Sequence, residues 1–180
     1  MINRKVETAM NKQIVAETYS SWLYLSMAAW FDGQNLKGFA NWMRVQAQEE
    51  LTHAMLFYNH IGDRGGRVVL GAIEAPPSEW KSAQAVYEAA YEHEQKVTAL
   101  INGLVELAAS EKDFAASPML QWFVKEQVEE EKNPSELAAR LKLVGSTGDG
   151  LLRLDAEAGT RAFVYPPPVL AGAAGEGPAA

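Results

Sequence analysis

The stretch Gln48-Glu49-Glu50-Leu51-Thr52-His53 lies inside a long helical pattern and sets an acid and an imidazole three residues apart. Side chains three apart on a helix share one face, so Glu50 and His53 point the same way. Glu17 precedes Glu50 by 33 residues, and the same interval separates Glu94 from Gln127, which opens a second pair of the same spacing, Gln127-Val128-Glu129-Glu130. Each half of the chain therefore offers one carboxylate from one helix and two ligand-type side chains from the next. Two such halves related by a pseudo-two-fold axis make a dinuclear metal site between four helices.

Outward from these pairs, helical periodicity dominates and no convincing alternating strand occurs. Residues 4–31 run without Pro or Gly and meet the turn signal Asp32-Gly33-Gln34-Asn35. A second helix is predicted over 36–61, tolerating Gly38 near its start and ending at Gly62. From Gly62 to Ser82 the chain is irregular, with Gly65-Gly66, Gly71 and Pro76-Pro77 around Val68-Val69-Leu70. A connection of that length joins two helices only by crossing the length of a bundle. Ser78 or Ser82 caps a third helix running to about Ser110, and Ser117-Pro118 opens a fourth, a cap followed by proline at the first helical position, ending near Gly145. Leu151 to Arg161 reads as a short amphipathic fifth helix. The predicted fold is an all-α four-helix bundle with a long crossover between the second and third helices. It divides into residues 1–145 for the bundle, 146–163 for a turn and the short helix, and 164–180 for a disordered Pro/Ala/Gly tail. Pro134, inside the fourth helix, lacks the amide that would bond the carbonyl of Glu130 and predicts a kink there, bending the helix or re-aiming Glu130.

The apolar stripes show where the acids point. Val6, Met10, Ile14, Glu17, Tyr24, Ala28 and Phe31 form one row on the first helix, and Met43, Ala47, Glu50, His53 and Phe57 form one on the second. Tyr87, Ala90, Glu94, Val97, Ile101 and Leu104 follow on the third, with Leu120, Phe123, Gln127, Glu130, Leu137 and Leu141 on the fourth. No Lys or Arg falls on these rows. Converging carboxylates without cations repel one another and are costly to bury, and a pair of divalent metals removes that cost. Oxygen-rich ligation with one imidazole suits iron or manganese, with zinc able to compete. His60 and His93 lie off the matched positions and read as structural, as do the five tryptophans.

Composition narrows the rest. At 180 residues the chain suits one domain, and the absence of cysteine excludes disulfides, iron–sulfur ligation, thiolate zinc and a cysteine nucleophile. The opening Met1-Ile2-Asn3-Arg4-Lys5 lacks the apolar core of a signal peptide, and no apolar run approaches the roughly 20 residues of a membrane span. A cytoplasmic protein is expected. The net charge of −7 fits attraction of cations, so neither nucleic acid nor membrane is an expected partner.

Glu17-Thr18-Tyr19-Ser20-Ser21-Trp22-Leu23-Tyr24, the Gln48–His53 stretch, His93-Glu94-Gln95, and Gln121-Trp122 with Glu126-Gln127-Val128-Glu129-Glu130-Glu131 together resemble the bacterial non-haem ferritins. The similarity runs from about residue 4 to 161 and includes Gly150-Leu151-Leu152 of the short helix. Each motif alone is weak, whereas four in order at matching intervals are specific. The resemblance implies a ferroxidase centre in which Glu17, Glu50 and His53 bind one iron and Glu50 bridges to a second held by Glu94 and Glu130. Gln127 would stand beside it as a weak ligand or just behind the ligands, and Tyr24 would supply an electron or a hydrogen bond. A third iron position maps to Glu49, Glu126, Glu129 and Glu130. The implied work is oxidation of Fe(II) by dioxygen or peroxide and storage of Fe(III) as an oxyhydroxide inside a homo-oligomeric cage, of 24 subunits in the family.

Close relatives part from this chain at single positions. Bacterioferritins are similar but carry His at the last position of the second pair and a haem-ligating Met directly after the bridging Glu. Here those positions are Glu130 and Leu51, so haem is not expected, with Met43 and Met55 the remaining methionines of that helix. Di-iron oxygenases and rubrerythrin-like proteins repeat Glu-x-x-His in both halves, which Gln127 breaks. The small DNA-protecting relatives lack the fifth helix and build their site between subunits. Two other functions remain open at this level: a metal-binding cage that does not oxidise its iron, and a di-iron oxidase or oxygenase acting on an organic substrate.

Overall fold

The computed structural model describes residues 1–145 and 148–165. The first helix, α1, spans Arg4–Gly33 and is capped by the Asn3 side chain, which accepts from the Lys5 amide at 2.8 Å. A turn through Asn35, in the left-handed region at φ 59°, reverses the chain into α2, Lys37–Asp63. Ser82 caps α3, Ala83–Ser110, by accepting from the Ala85 amide at 3.1 Å, as expected of a serine one residue before a helix. A single 3-10 turn, Phe114–Ala116, leads into α4, Ser117–Val144, with Pro118 in its first turn where a missing amide costs nothing. Ser117 is the first helical residue rather than the predicted cap, because the preceding 3-10 turn runs into the helix and leaves Ala116 at the cap position without a side-chain bond. α4 continues through Pro134, and the Glu130 side chain still points inward.

The short helix is α5, Asp149–Ala158, displaced from the predicted Leu151–Arg161. It starts earlier because Asp149 suits the positive end of a helix, and it stops at Gly159, leaving Arg161 beyond its end. Residues 146–147, and the predicted tail from Pro166 onward, lie outside the described residues.

α1 pairs with α2 and α3 with α4, and the crossover between the pairs runs along α1. Asn11 Nδ2 donates to the Arg67 carbonyl at 3.0 Å, its Oδ1 accepts from the Val69 amide at 2.6 Å, and Ser26 Oγ donates to the Pro77 carbonyl at 2.7 Å. Asn11 and Ser26 are about 22 Å apart at 1.5 Å per helical residue. The long connection thus spans most of the bundle, as its length predicts. Every residue of the four predicted stripes is buried except Leu137, which is partly buried against the core.

The core is split in two. One cluster gathers Met27, Phe31, Phe39, Trp42, Tyr87, Leu141 and Leu154, and the other Val6, Met10, Phe57, Ile101, Leu104, Leu120 and Phe123. The buried polar side chains Glu17, Glu50, His53, Glu94, Gln127 and Glu130 belong to neither cluster and lie at sequence positions between the two on all four long helices, with Gln13 and Gln46 one turn before Glu17 and Glu50. Hydrophobic packing at both ends therefore fixes the geometry of a polar layer that would not assemble by itself.

Candidate metal centre

The predicted ligands converge. Glu17, Glu50 and His53 each place a ligand-type atom within 4.8 Å of the others, and so do Glu50, Glu94 and Glu130. Glu50 is common to both groups. Glu17, Glu50 and Glu94 are 1% exposed, His53 3% and Glu130 5%. Among the described residues no lysine or arginine forms an ion pair with any of the four acids.

Amides and a phenol orient these carboxylates. Gln13 Nε2 donates to Glu17 Oε1 at 2.9 Å, and Gln46 Nε2 donates both to Glu50 Oε1 at 2.8 Å and to Glu130 Oε2 at 2.6 Å, tying α2 to α4. The Tyr24 hydroxyl donates to Glu94 Oε1. Gln127 Nε2 faces Glu94 Oε2 at 3.3 Å and Thr98 Oγ1 at 3.2 Å, so its amide nitrogen is turned to the centre. Thr98 in turn donates to Glu131 at 2.6 Å. Beside the layer, His93 Nε2 shares a hydrogen bond with Ser20 Oγ at 2.7 Å.

The electrostatics are those of buried acids crowded around one imidazole. Burial, then the Glu50 charge, pushes Glu17 up to about 8, and the same two causes in the same order push Glu130 up to about 8. Glu94 is also raised, by burial and then by Glu50 and Glu130. Burial acts to raise Glu50 as well, but the hydrogen bond and charge of His53, 3.4 Å away, hold it below the usual value. Burial acts to lower His53, yet the surrounding carboxylates, Glu50 foremost, lift it to about 10. An imidazolium and retained protons thus do what a divalent cation would do. Glu17 Oε2 is buried with no hydrogen-bond partner. A carboxylate oxygen left open at this position fits a metal ligand, because a structural acid would be paired.

The third predicted set comes together only in part. Glu126 and Glu130 form a group within 4.8 Å with His53. Glu49 turns instead to an ion pair with Arg161, and Glu129 is exposed, lining a surface groove with Lys125 and Lys132. Neither Glu49 nor Glu129 enters a candidate group among the described residues.

Sequence reasoning missed Gln13, Gln46 and Arg161. The two glutamines were within reach of it, since each stands four residues before a candidate ligand acid and they are themselves 33 residues apart. For Arg161, beyond the last helix, no spacing gives a signal.

Fold and site together define a four-helix carboxylate bundle whose buried acids and imidazole could hold metal between its helix pairs. Residues 7–144 match the family described as Ferritin, a ferritin-like domain, and the chain belongs to that family. It is 42% identical over 159 residues to a probable bacterial non-heme ferritin-like protein of Haemophilus influenzae, covering 88% of this chain and 96% of the relative. A bacterial non-heme ferritin of Bacteroides fragilis is 40% identical over 161 residues, covering 89% and 100%. Among solved structures, the open pore ferritin of the hyperthermophilic archaeon Archaeoglobus fulgidus superposes with a TM-score of 0.88 at 53% identity, over 90% of this chain and all of that one.

Proposed function

We propose that this chain is the subunit of an iron-storing cage that oxidises Fe(II) at the buried centre and deposits Fe(III) as an oxyhydroxide. The observation that carries the reading is the buried set Glu17, Glu50, His53, Glu94 and Glu130, in which four acids share one imidazole and, among the described residues, none is ion-paired to lysine or arginine. Such a set stores unfavourable energy until cations enter it. In this reading Glu17 and His53 hold one Fe(II), Glu94 and Glu130 hold the other, and Glu50 bridges them. The two irons then supply the two electrons that reduce dioxygen to hydrogen peroxide, or peroxide to water. Gln46 and Gln13 fix the carboxylates by hydrogen bonds. Tyr24 orients Glu94 and is a one-electron donor within reach of the pair. Gln127 acts through Glu94 rather than as a ligand. Glu126 and Glu130, with Glu129 beside Glu130 on α4 and Glu49 beside Glu50 on α2, offer a third iron position on the way out.

Assembly is supported by exposed apolar side chains, Trp22 and Leu25 on α1 and Val69, Leu70 and Ile73 on the crossover that packs along it. By family, the expected assembly is a 24-subunit cage, and the cytoplasm is its expected location. No described helix is long and apolar enough to cross a membrane.

The test is aerobic Fe(II) loading followed by gel filtration with iron and protein followed in one peak. Iron far above three per subunit, travelling with a large assembly, is expected. Iron stopping at a few per subunit would instead make the protein a metal-binding cage, and oxygen uptake that needs an organic substrate would make it a di-iron oxygenase.

A further inference from the structure

Arg161 is a cation that the helix stripes do not supply, and it reaches the acidic layer from outside the bundle. Its Nη2 donates to Glu49 Oε2, and both side chains are four-fifths buried. Its guanidinium carbon lies 4.2 Å from the centre of the Trp42 ring, a stacked arrangement suited to arginine. Nη1 donates to the Trp42 carbonyl at 3.5 Å, and the Arg161 carbonyl accepts from Asn41 Nδ2 at 2.9 Å. Arg161 is thus held by a carboxylate, a ring and two backbone contacts, all on α2. Its partner is the one acid of the third set that shares α2 with Glu50 and His53. Glu126 and Glu130 of that set have already converged beside His53, and Glu49 has not joined them.

We propose that Arg161 competes with a third metal ion for Glu49. With the guanidinium in place, Glu49 is withheld and the third position is completed only when Arg161 leaves. Metal arriving there exchanges one cation for another on the same carboxylate and frees the segment that follows α5 from its anchor on Trp42 and Asn41. Arg161 would therefore set how weakly the third ion is held, and a weak third ion is one that moves on. This inference rests on the third iron position of the proposed function.

The test uses the full-length, assembled, metal-free protein titrated anaerobically with Co(II), which does not turn over, followed by calorimetry and visible absorption. The wild type is expected to bind two ions per subunit tightly and a third weakly. Arg161→Gln should tighten the third by on the order of tenfold, the effect of one nearby like charge removed after solvent screening. Arg161→Lys should not, since it keeps the charge. Glu49→Gln alone should weaken the third ion below its wild-type affinity, because the carboxylate that the metal takes from Arg161 is gone, and combined with Arg161→Gln it should abolish the gain. Hydrogen exchange of residues 159–165 in the wild type should rise only as the third equivalent binds, a readout that survives if the arginine variants fail to assemble. A third ion held equally by wild type and Arg161→Gln would overturn the competition and leave the third position standing. No third ion in any variant would overturn both. Unchanged exchange at 159–165 with the third site filled would refute the release of the segment and, with it, the exchange of cations.

Discussion

Replacing Gly38 by alanine should loosen α5 from the bundle. A β-carbon at residue 38 would stand 1.6 Å from the Asp155 carbonyl oxygen and 2.5 Å from its carbon, where ordinary contact begins at 3.4 Å. All three of its near neighbours are backbone, so no side chain can swing away, and α5 must retreat by about 2 Å or let go. A retreat costs about 1–3 kcal/mol, the usual range for overpacking. Release would cost more. It would expose Leu154, about 2–3 kcal/mol, and lose the 2.8 Å bond from the Phe39 amide to the Asp155 carboxylate, about 1.5–3 kcal/mol. The cheaper route sets the loss, so the expected destabilisation is about 1–3 kcal/mol, a fall of roughly 2–12 °C in thermal midpoint for a chain of this size. Gly159→Ala is the matched control, since its β-carbon would meet the Gly38 α-carbon at 3.1 Å and needs only a small adjustment. Differential scanning calorimetry gives the midpoint, and native-state hydrogen exchange locates the change in residues 149–158. A Gly38→Ala protein melting within 2 °C of wild type (roughly 0.5–1 kcal/mol), with unchanged protection in α5, would refute the close approach of the two backbones.

Three further outcomes are expected of the same structure. Glu50→Ala and Glu130→Ala should each slow the fast phase of Fe(II) oxidation by roughly a hundredfold or more, beyond what loss of a supporting residue costs, while gel filtration shows the cage intact; wild-type rates in both would remove the centre from the reaction. The metal-free protein should lose stability as pH rises from about 5 to 8, because folded Glu17 and Glu130, at about 8 against an ordinary 4.5, keep protons that the unfolded chain releases. His53, at about 10 against 6.5, extends the loss above pH 8, whereas Glu50, held low, loses its contribution only below the ordinary carboxylate range. Each retained proton contributes a slope of about 1.4 kcal/mol per pH unit, and Zn(II) loading should reverse the trend because ligands bind deprotonated; metal-free melting temperatures that climb from pH 5.5 to 8 would contradict this. Gly103→Ala, in an exposed stretch of α3 with nothing within 4 Å of the new carbon, should stabilise by about 0.5–1 kcal/mol in thermal melts, and a loss would mean that the site is not open.

The helix ends were legible because capping is local chemistry. Asn35, Ser82 and Pro118 act on their immediate neighbours, and the observed boundaries of α1 to α4 fall within two or three residues of those read from the sequence. α5 was less legible, since ten residues carry too few turns for periodicity to fix its ends. The acids of the centre were legible for a different reason. A charged side chain repeated in phase with an apolar stripe has nowhere to go but the interior, and the common 33-residue interval paired the two halves.

The sequence by itself determined the four long helices, the faces they bury and the acids and imidazole those faces carry, because all of this follows from the helical period along one stretch of chain. Only the tertiary structure decided that Gln46 joins Glu50 to Glu130, that the β-carbon missing at Gly38 lets Asp155 approach, and that Glu49 turns to Arg161 rather than to Glu126. These contacts join residues 84, 117 and 112 positions apart. Their geometry depends on how the helices pack, and no spacing within a single element records it.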